Sequence, residues 1–261
     1  MPPPPALPTF FELDAPDDWT AIDFISDLHL SSETPRTFEV WADYMRGTPA
    51  SAVIILGDLF EVWVGDDARH SGFEARCVDV LAEAAARRTV AFACGNRDFL
   101  VGGEMLRDCG IRALSDPSVL VAFGERLLLS HGDALCLDDH EYQQFRAMVR
   151  SPAWQRDFLA RPLEERQRMA RAMRDHSEGR KRTMTPAEWV DIDKATAVRW
   201  MHEAHTPTLI HGHTHRPAHE VLAPGYMREV LSDWDCDGAG PPRAEVLRLK
   251  GGSLARIRIA T

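Results

Sequence analysis

The sequence has no uninterrupted apolar run approaching the roughly 20 residues that a membrane-spanning helix requires, which excludes a helical membrane span. It is also short of cysteine. Its five, Cys77, Cys94, Cys109, Cys136 and Cys236, are scattered without CxxC spacing. An odd, dispersed set argues against a disulfide framework and predicts buried small hydrophobes in a reducing compartment. The opening residues lack a basic segment followed by an apolar stretch, so no secretory signal is expected and the protein is expected to be cytoplasmic. Residues 1–20 are expected to form a flexible, proline-rich tail. There is no internal repeat and no long low-complexity segment. Positive charge is in deficit too: 30 Lys/Arg stand against 40 Asp/Glu, a net charge of -10 that argues against general nucleic-acid binding. The deficit is uneven. From Arg146 to Arg182 eleven basic residues face five acidic ones, a local +6 suited to meeting an anion.

What is present describes a soluble globular protein. The chain is 44% hydrophobic and 27% charged, and its 261 residues suffice for one large domain, or for a core domain carrying an insertion. Apolar runs at Ala21 to Ile25, Ala52 to Leu56 and Thr89 to Ala93 read as strands. A helix is signalled after the first, with Thr34 as N-cap, Pro35 at the first helical position, and Phe38, Trp41, Ala42 and Met45 at helical spacing. Another helix is predicted from Phe73 to Arg88. The alternation predicts an α/β core. A hairpin is expected across Val119 to Phe123 and Arg126 to Ser130, turning at Gly124. From about residue 141 to 204 the chain turns helical and charged, with prolines at 152, 162 and 186, and reads as an inserted helical lid. Strands are expected again at Thr208 to His211 and near Val221, Val230, Val246 and Ile257.

Five polar motifs follow, or nearly follow, these apolar runs: Asp27-Leu28-His29, Gly57-Asp58, Gly95-Asn96-Arg97-Asp98, His131-Gly132-Asp133 and Gly212-His213-Thr214-His215. In sheets of this kind strand ends gather along one edge, where loops supply a site. Carboxylate, amide and imidazole donors without thiolate suit Mn²⁺, Fe²⁺, Zn²⁺ or Co²⁺. Seven such residues exceed the three or four that a single tetrahedral zinc needs, and two ions fit the count better. The glycines beside Asp58, Asn96, His131 and His213 permit tight turns and close backbone approach. Singly these motifs are commonplace in surface loops, and their conjunction in this order is what carries the reading.

In that order they match D-x-H, G-D, G-N-[HR]-[DE], an isolated H and G-H-x-H, so the sequence resembles the calcineurin-like metallophosphoesterase family. The resemblance implies an α/β sandwich of two mixed β-sheets flanked by helices over residues 21–261, with the lid inserted. It implies two divalent metal ions. One would take Asp27, His29, Asp58 and His215, the other Asp58, Asn96, His131 and His213, with Asp58 bridging and a shared hydroxide as nucleophile. Where the family often has His after Gly-Asn, this chain has Arg97. An always-protonated guanidinium would clamp phosphate oxygens and not donate a proton, which suits a phosphate anhydride.

The longer stretches Gly57 to Asp67, Gly95 to Gly102, Ser130 to Asp139 and His211 to Pro217 are similar to the UDP-2,3-diacylglucosamine diphosphatases of Gram-negative lipid A biosynthesis, over about residues 21–236. That similarity implies Mn²⁺-dependent hydrolysis to UMP and 2,3-diacylglucosamine 1-phosphate beneath a cap that grips the acyl chains. It implies catalytic roles for Asn96 and Arg97. Substrate contacts are implied for Asn96, Arg97, Asp139, Tyr142, Ser177, Arg180, Lys181 and His213. A monomer in peripheral contact with the cytoplasmic face of the inner membrane is expected. Two alternatives stay open: a phosphodiesterase or phosphatase for nucleotides or phosphoproteins, and a non-catalytic binding scaffold.

Overall fold

The computed structural model describes residues 6–183 and 190–259, the side chains of 175–183 excepted. Two six-stranded mixed sheets pack face to face. In the first, β2 (Ile22–Ile25), β3 (Ala52–Leu56), β4 (Thr89–Ala93) and β5 (Arg112–Ala113) run parallel, and β11 (Glu245–Lys250) and β12 (Ser253–Arg258) add antiparallel on the β2 side. The second orders β1 (Phe11–Asp14), β6 (Ser118–Ala122), β7 (Glu125–Ser130), β8 (Thr208–His211), β10 (Tyr226–Val230) and β9 (Ala218–Ala223). The β6–β7 hairpin turns on Phe123 and Gly124, both with positive φ, the pairing that matches strand twist in a two-residue turn.

Strand periodicity sorts the core into layers. Along β3, Ala52, Ile54 and Leu56 face the second sheet, where they meet Leu120, Leu127, Leu129 and Ile210. Val53 and Ile55 point the other way, under helices α1 (Pro35–Gly47), α2 (Gly72–Ala85) and α3 (Gly103–Cys109), among Trp41, Leu81 and Met105. A strand buried on both faces has no polar side, which is why the β3 run is uniformly apolar. Trp41 is fully buried, so truncating it to alanine costs about 3–5 kcal/mol. The four buried cysteines join these packed layers, and all five are free.

Between β7 and β8 come α4 (His140–Val149), α5 (Pro152–Leu159), α6 (Leu163–Thr183) and α7 (Lys194–Glu203). The first three bring Tyr142, Phe145, Trp154, Phe158 and Met169 to the wall of a cavity beside the strand ends. Residues 194–203, counted with the lid from sequence, instead bury Ala197, Trp200 and Met201 against Val119, Leu128 and Leu209 on the outer face of the second sheet. A second correction concerns the expected tail. Phe11–Asp14 is a strand paired in parallel with β6, because Leu13 reaches the core between the sheets while its neighbours stay exposed. Among the described residues no helix is long and apolar enough to cross a membrane.

Candidate metal centre

All seven candidate ligands lie just beyond strands: Asp27 and His29 after β2, Asp58 after β3, Asn96 after β4, His131 after β7, and His213 and His215 after β8. Backbone bonds stitch these loops together. The amides of Leu28 and His29 donate to the Asp58 carbonyl at 2.8 and 3.0 Å, and the Gly212 amide donates to the His131 carbonyl at 2.9 Å. The His213 amide donates to both carboxylate oxygens of Asp27, at 3.0 and 2.9 Å. Such close approach needs glycine. A Cβ on Gly57 would lie 2.5 Å from the Gly95 backbone and 2.7 Å from Nδ1 of His131, and Gly57 itself has φ +82°. The loops are strained as well: Asp27, His29, Asp58, His213 and His215 all have φ between 48° and 67°. Left-handed backbone at non-glycine residues is costly and gathers at functional sites.

The side chains converge in two groups. Nε2 of His29 and Nε2 of His215 are 3.2 Å apart, and His215 Nε2 is 3.4 Å from Oδ1 of Asp27. In the other group, Oδ1 of Asn96 lies 2.9 Å from Nε2 of His131 and 2.8 Å from Nδ1 of His213. Asp58 stands between them, with Oδ2 3.9 Å from His29 Nε2 and Oδ1 3.7 Å from His131 Nε2. Asp27 also approaches Asp58 and His131 closely enough for the three to share an ion.

The charge balance calls for cations. Asp27 and Asp58 are 0% and 1% exposed, and among the described residues their ion-pair partners are imidazoles, with no Lys or Arg. Buried carboxylates need such compensation. Burial disfavours the Asp27 carboxylate, but His215, His131 and His29 together hold its pKa below the usual range. Burial likewise disfavours charge on His131, yet Asp58 and Asp27 lift its pKa to about 9. The buried carboxylates thus favour positive charge beside them. Oxygen and imidazole donors around buried negative charge are what divalent ions take up. The cysteines are no rivals for them: burial pushes the Cys94 thiol well above its ordinary value.

Several supporting residues carry no ligand motif of their own. Asp98, the last residue of Gly-Asn-Arg-Asp, is fully buried and accepts the Gly95 and Leu59 amides, both at 2.8 Å, which ties the β3 and β4 loops together. Burial and the nearby Asp58 raise its pKa to about 6. Asp133 receives the Tyr142 hydroxyl at 2.5 Å and Nε of Arg146 at 2.7 Å. Arg150 reaches the Gly95 carbonyl at 2.9 Å, so α4 is fastened directly to two ligand loops. Glu61 lies 3.0 Å from Nδ1 of His29. Asp98 and Asp133 were visible in sequence as the last residues of their motifs; their acceptor roles were not.

Of the residues implied as substrate contacts, Asn96, Arg97, Asp139, Tyr142 and His213 line one cavity of about 740 Å³ that opens onto the ligand cluster. Tyr142 stands with its ring 5.9 Å from that of His213, and Asp139 caps α4 by accepting the Tyr142 amide at 3.1 Å. The side chains of Ser177, Arg180 and Lys181 lie outside the described residues.

Comparison with known proteins agrees with this geometry. The calcineurin-like phosphoesterase profile matches residues 20–217. A Chromobacterium violaceum protein named UDP-2,3-diacylglucosamine hydrolase is 48% identical over 218 residues, 82% of this chain and 90% of that relative. Proteins of the same name from Bordetella pertussis (43% over 225 residues, 84% and 87%) and Xanthomonas oryzae pv. oryzae (42% over 248 residues, 91% and 98%) are similar at comparable depth. A phosphoesterase domain of this type implies divalent metal ions, and the clustered carboxylates and imidazoles are the candidates to bind them. From its two-sheet sandwich, its convergent strand-end carboxylates and imidazoles and a profile match across most of its length, the chain belongs to the calcineurin-like phosphoesterase family.

Proposed function

We propose that this protein hydrolyses the diphosphate of UDP-2,3-diacylglucosamine to UMP and 2,3-diacylglucosamine 1-phosphate in lipid A biosynthesis, and that two divalent ions, Mn²⁺ in the cell, serve the reaction. The observation that carries the reading is a junction. The cavity beside the ligand cluster joins polar residues, among them Asn96, Arg97 and His213, to apolar ones, Leu100, Phe145, Trp154, Phe158 and Met169. A small phosphate ester has no use for the apolar residues. A lipid-linked nucleotide needs both.

Asp27, His29, Asp58 and His215 would hold one ion and Asp58, Asn96, His131 and His213 the other. When bound, two such ions supply Lewis acidity and activate water at neutral pH. The chain's own groups do the rest. Asp58 offers one oxygen to each group of ligands, which fixes the spacing between them. Arg97, 14% exposed in the cavity wall, presents a permanently charged fork that can grip two phosphate oxygens. The apolar walls exclude water from the acyl chains and strengthen electrostatics at the phosphates. Each leaving group of the diphosphate is a phosphate, so a protonating histidine after Asn96 is unnecessary.

Arg156 and Leu159 of α5, Arg161 in the turn that follows, and Arg168 and Arg171 of α6 are exposed. This supports peripheral contact with an anionic membrane, where we propose that the protein acts as a monomer. Failure to sediment with anionic vesicles at low salt would count against it. For the activity, purified Mn²⁺-loaded protein should turn over UDP-2,3-diacylglucosamine far faster than nitrophenyl phosphodiesters. Turnover of the generic esters alone would overturn the assignment.

A further inference from the structure

One carboxylate beside the metal centre is approached from three separate parts of the fold. Glu61 follows Asp58 by three residues, and its backbone amide donates to the Leu30 carbonyl at 3.1 Å, anchoring it to the loop that carries His29. Its Oε2 lies 3.0 Å from Nδ1 of His29, close but off the line of an ideal N–H···O bond. Its Oε1 lies 3.6 Å from Nη1 of Arg97 and 3.4 Å from Nε of Arg174 in α6. The side chain is 14% exposed.

The two edges of the His29 ring have different surroundings. Nε2 faces the candidate ligands, 3.2 Å from His215 and 3.9 Å from Asp58. To offer a lone pair there, the ring must carry its proton on Nδ1, and Nδ1 is buried beside Glu61. An acceptor behind a ligating histidine fixes both tautomer and ring angle, and its removal typically costs 10–100-fold in metal affinity or activity. What distinguishes this carboxylate is its second oxygen, which is turned to the guanidinium expected to meet phosphate and to one from the cap.

We propose that Glu61 is a positioning residue with two functions: through Oε2 it holds His29 in its ligating tautomer, and through Oε1 it aims Arg97 and draws Arg174 of the cap toward the same point. Metal ligation and phosphate binding then share one anchor. The inference rests on the two-ion reading of the site.

The test is Mn²⁺ binding by equilibrium dialysis on the full-length protein, paired with steady-state kinetics. Glu61→Ala should weaken one of the two ions about 10–100-fold, leave the other unchanged and raise KM. Glu61→Gln keeps an oxygen for Nδ1 but loses the charge, so it should regain metal affinity while KM stays high. Glu33→Gln, which removes a 72%-exposed acid paired, among the described residues, with Arg174 at 3.3 Å, should alter neither. Wild-type affinity for both ions in Glu61→Ala overturns the proposal, as does equal weakening of both ions with a lowered melting temperature, or loss of an ion in Glu33→Gln. A wild-type protein that binds fewer than two ions overturns the two-ion reading first, and the proposal with it.

Discussion

Replacing Gly57 with alanine probes how tightly the strand-end loops are fitted to one another. The added methyl would lie 2.5 Å from the Cα and N of Gly95 and 2.7 Å from Nδ1 of His131, where ordinary contacts begin at 3.4 Å. The β3 and β4 loops must therefore part by about 1 Å, since neither obstacle is the free end of a flexible side chain. His131 has little room to yield, because Nδ1 also sits 2.9 Å from the Leu56 carbonyl. Overpacking costs about 1–3 kcal/mol, and a non-glycine residue at φ +82° adds about 1–2 kcal/mol. For a domain of this size the sum lowers Tm by roughly 5–15 °C. The same displacement moves Asp58, Asn96 and His131 relative to each other, and misplacement by about 1 Å costs about 10²-fold in kcat. Gly47→Ala is the control, at the last residue of α1 with nothing within 4 Å of the new methyl; it should leave activity unchanged and hold or raise Tm. Thermal melts and kinetics at saturating Mn²⁺ read both effects. Gly57→Ala with a lowered Tm but wild-type kcat would refute the argument that loop spacing sets ligand geometry.

Asp58→Ala should lose both ions and at least about 10³-fold in activity; full metal content by elemental analysis would contradict its bridging position. Arg97→Ala should lower kcat/KM about 10²–10³-fold, and Arg97→Lys should regain only part, because lysine lacks the fork; complete rescue by lysine would contradict a two-pronged grip. A third prediction concerns stability and pH. Burial disfavours the Asp191 carboxylate, but two bonds from the buried Arg228 hold its pKa below the usual range. A depressed carboxyl stabilises the fold above the ordinary pKa of about 3.9 and loses that contribution as pH falls through its folded value. Asp191→Asn should therefore cost about 1–3 kcal/mol at pH 7, a partial figure because Asp191 is 35% exposed and Glu220 shares Arg228, and the gap should close in strong acid. Equal melting temperatures at pH 7 would contradict it.

The candidate ligands were legible before any fold was known because their chemistry restricts residue type and the strands that deliver them are apolar runs. Asp27, Asp58, Asn96, His131 and His213 each announce themselves by following such a run within a few residues. The helical stretch between β7 and β8 was legible as a change in composition, but where it turns back to the sheet was not: α7 has the same charged, amphipathic look as α4, and its place on the second sheet depends on what Trp200 and Met201 meet. The start of α1 shows the same limit. Thr34 stands at the N-cap position as expected, but its side chain makes no capping bond; Asp237 accepts the Arg36 and Thr37 amides at 3.0 and 2.8 Å from the far end of the chain.

By itself, then, the sequence determined the strand and helix grammar, the candidate ligands and the family, since these depend on local periodicity and on which side chains can bind a cation. Tertiary structure alone decided which carboxylates face the ligand cluster and which brace it. Asp58, Glu61, Asp98 and Asp133 carry the same functional group, and only the loops folded around each distinguish a candidate bridge, a support for His29, a clamp between loops and an anchor for the cap.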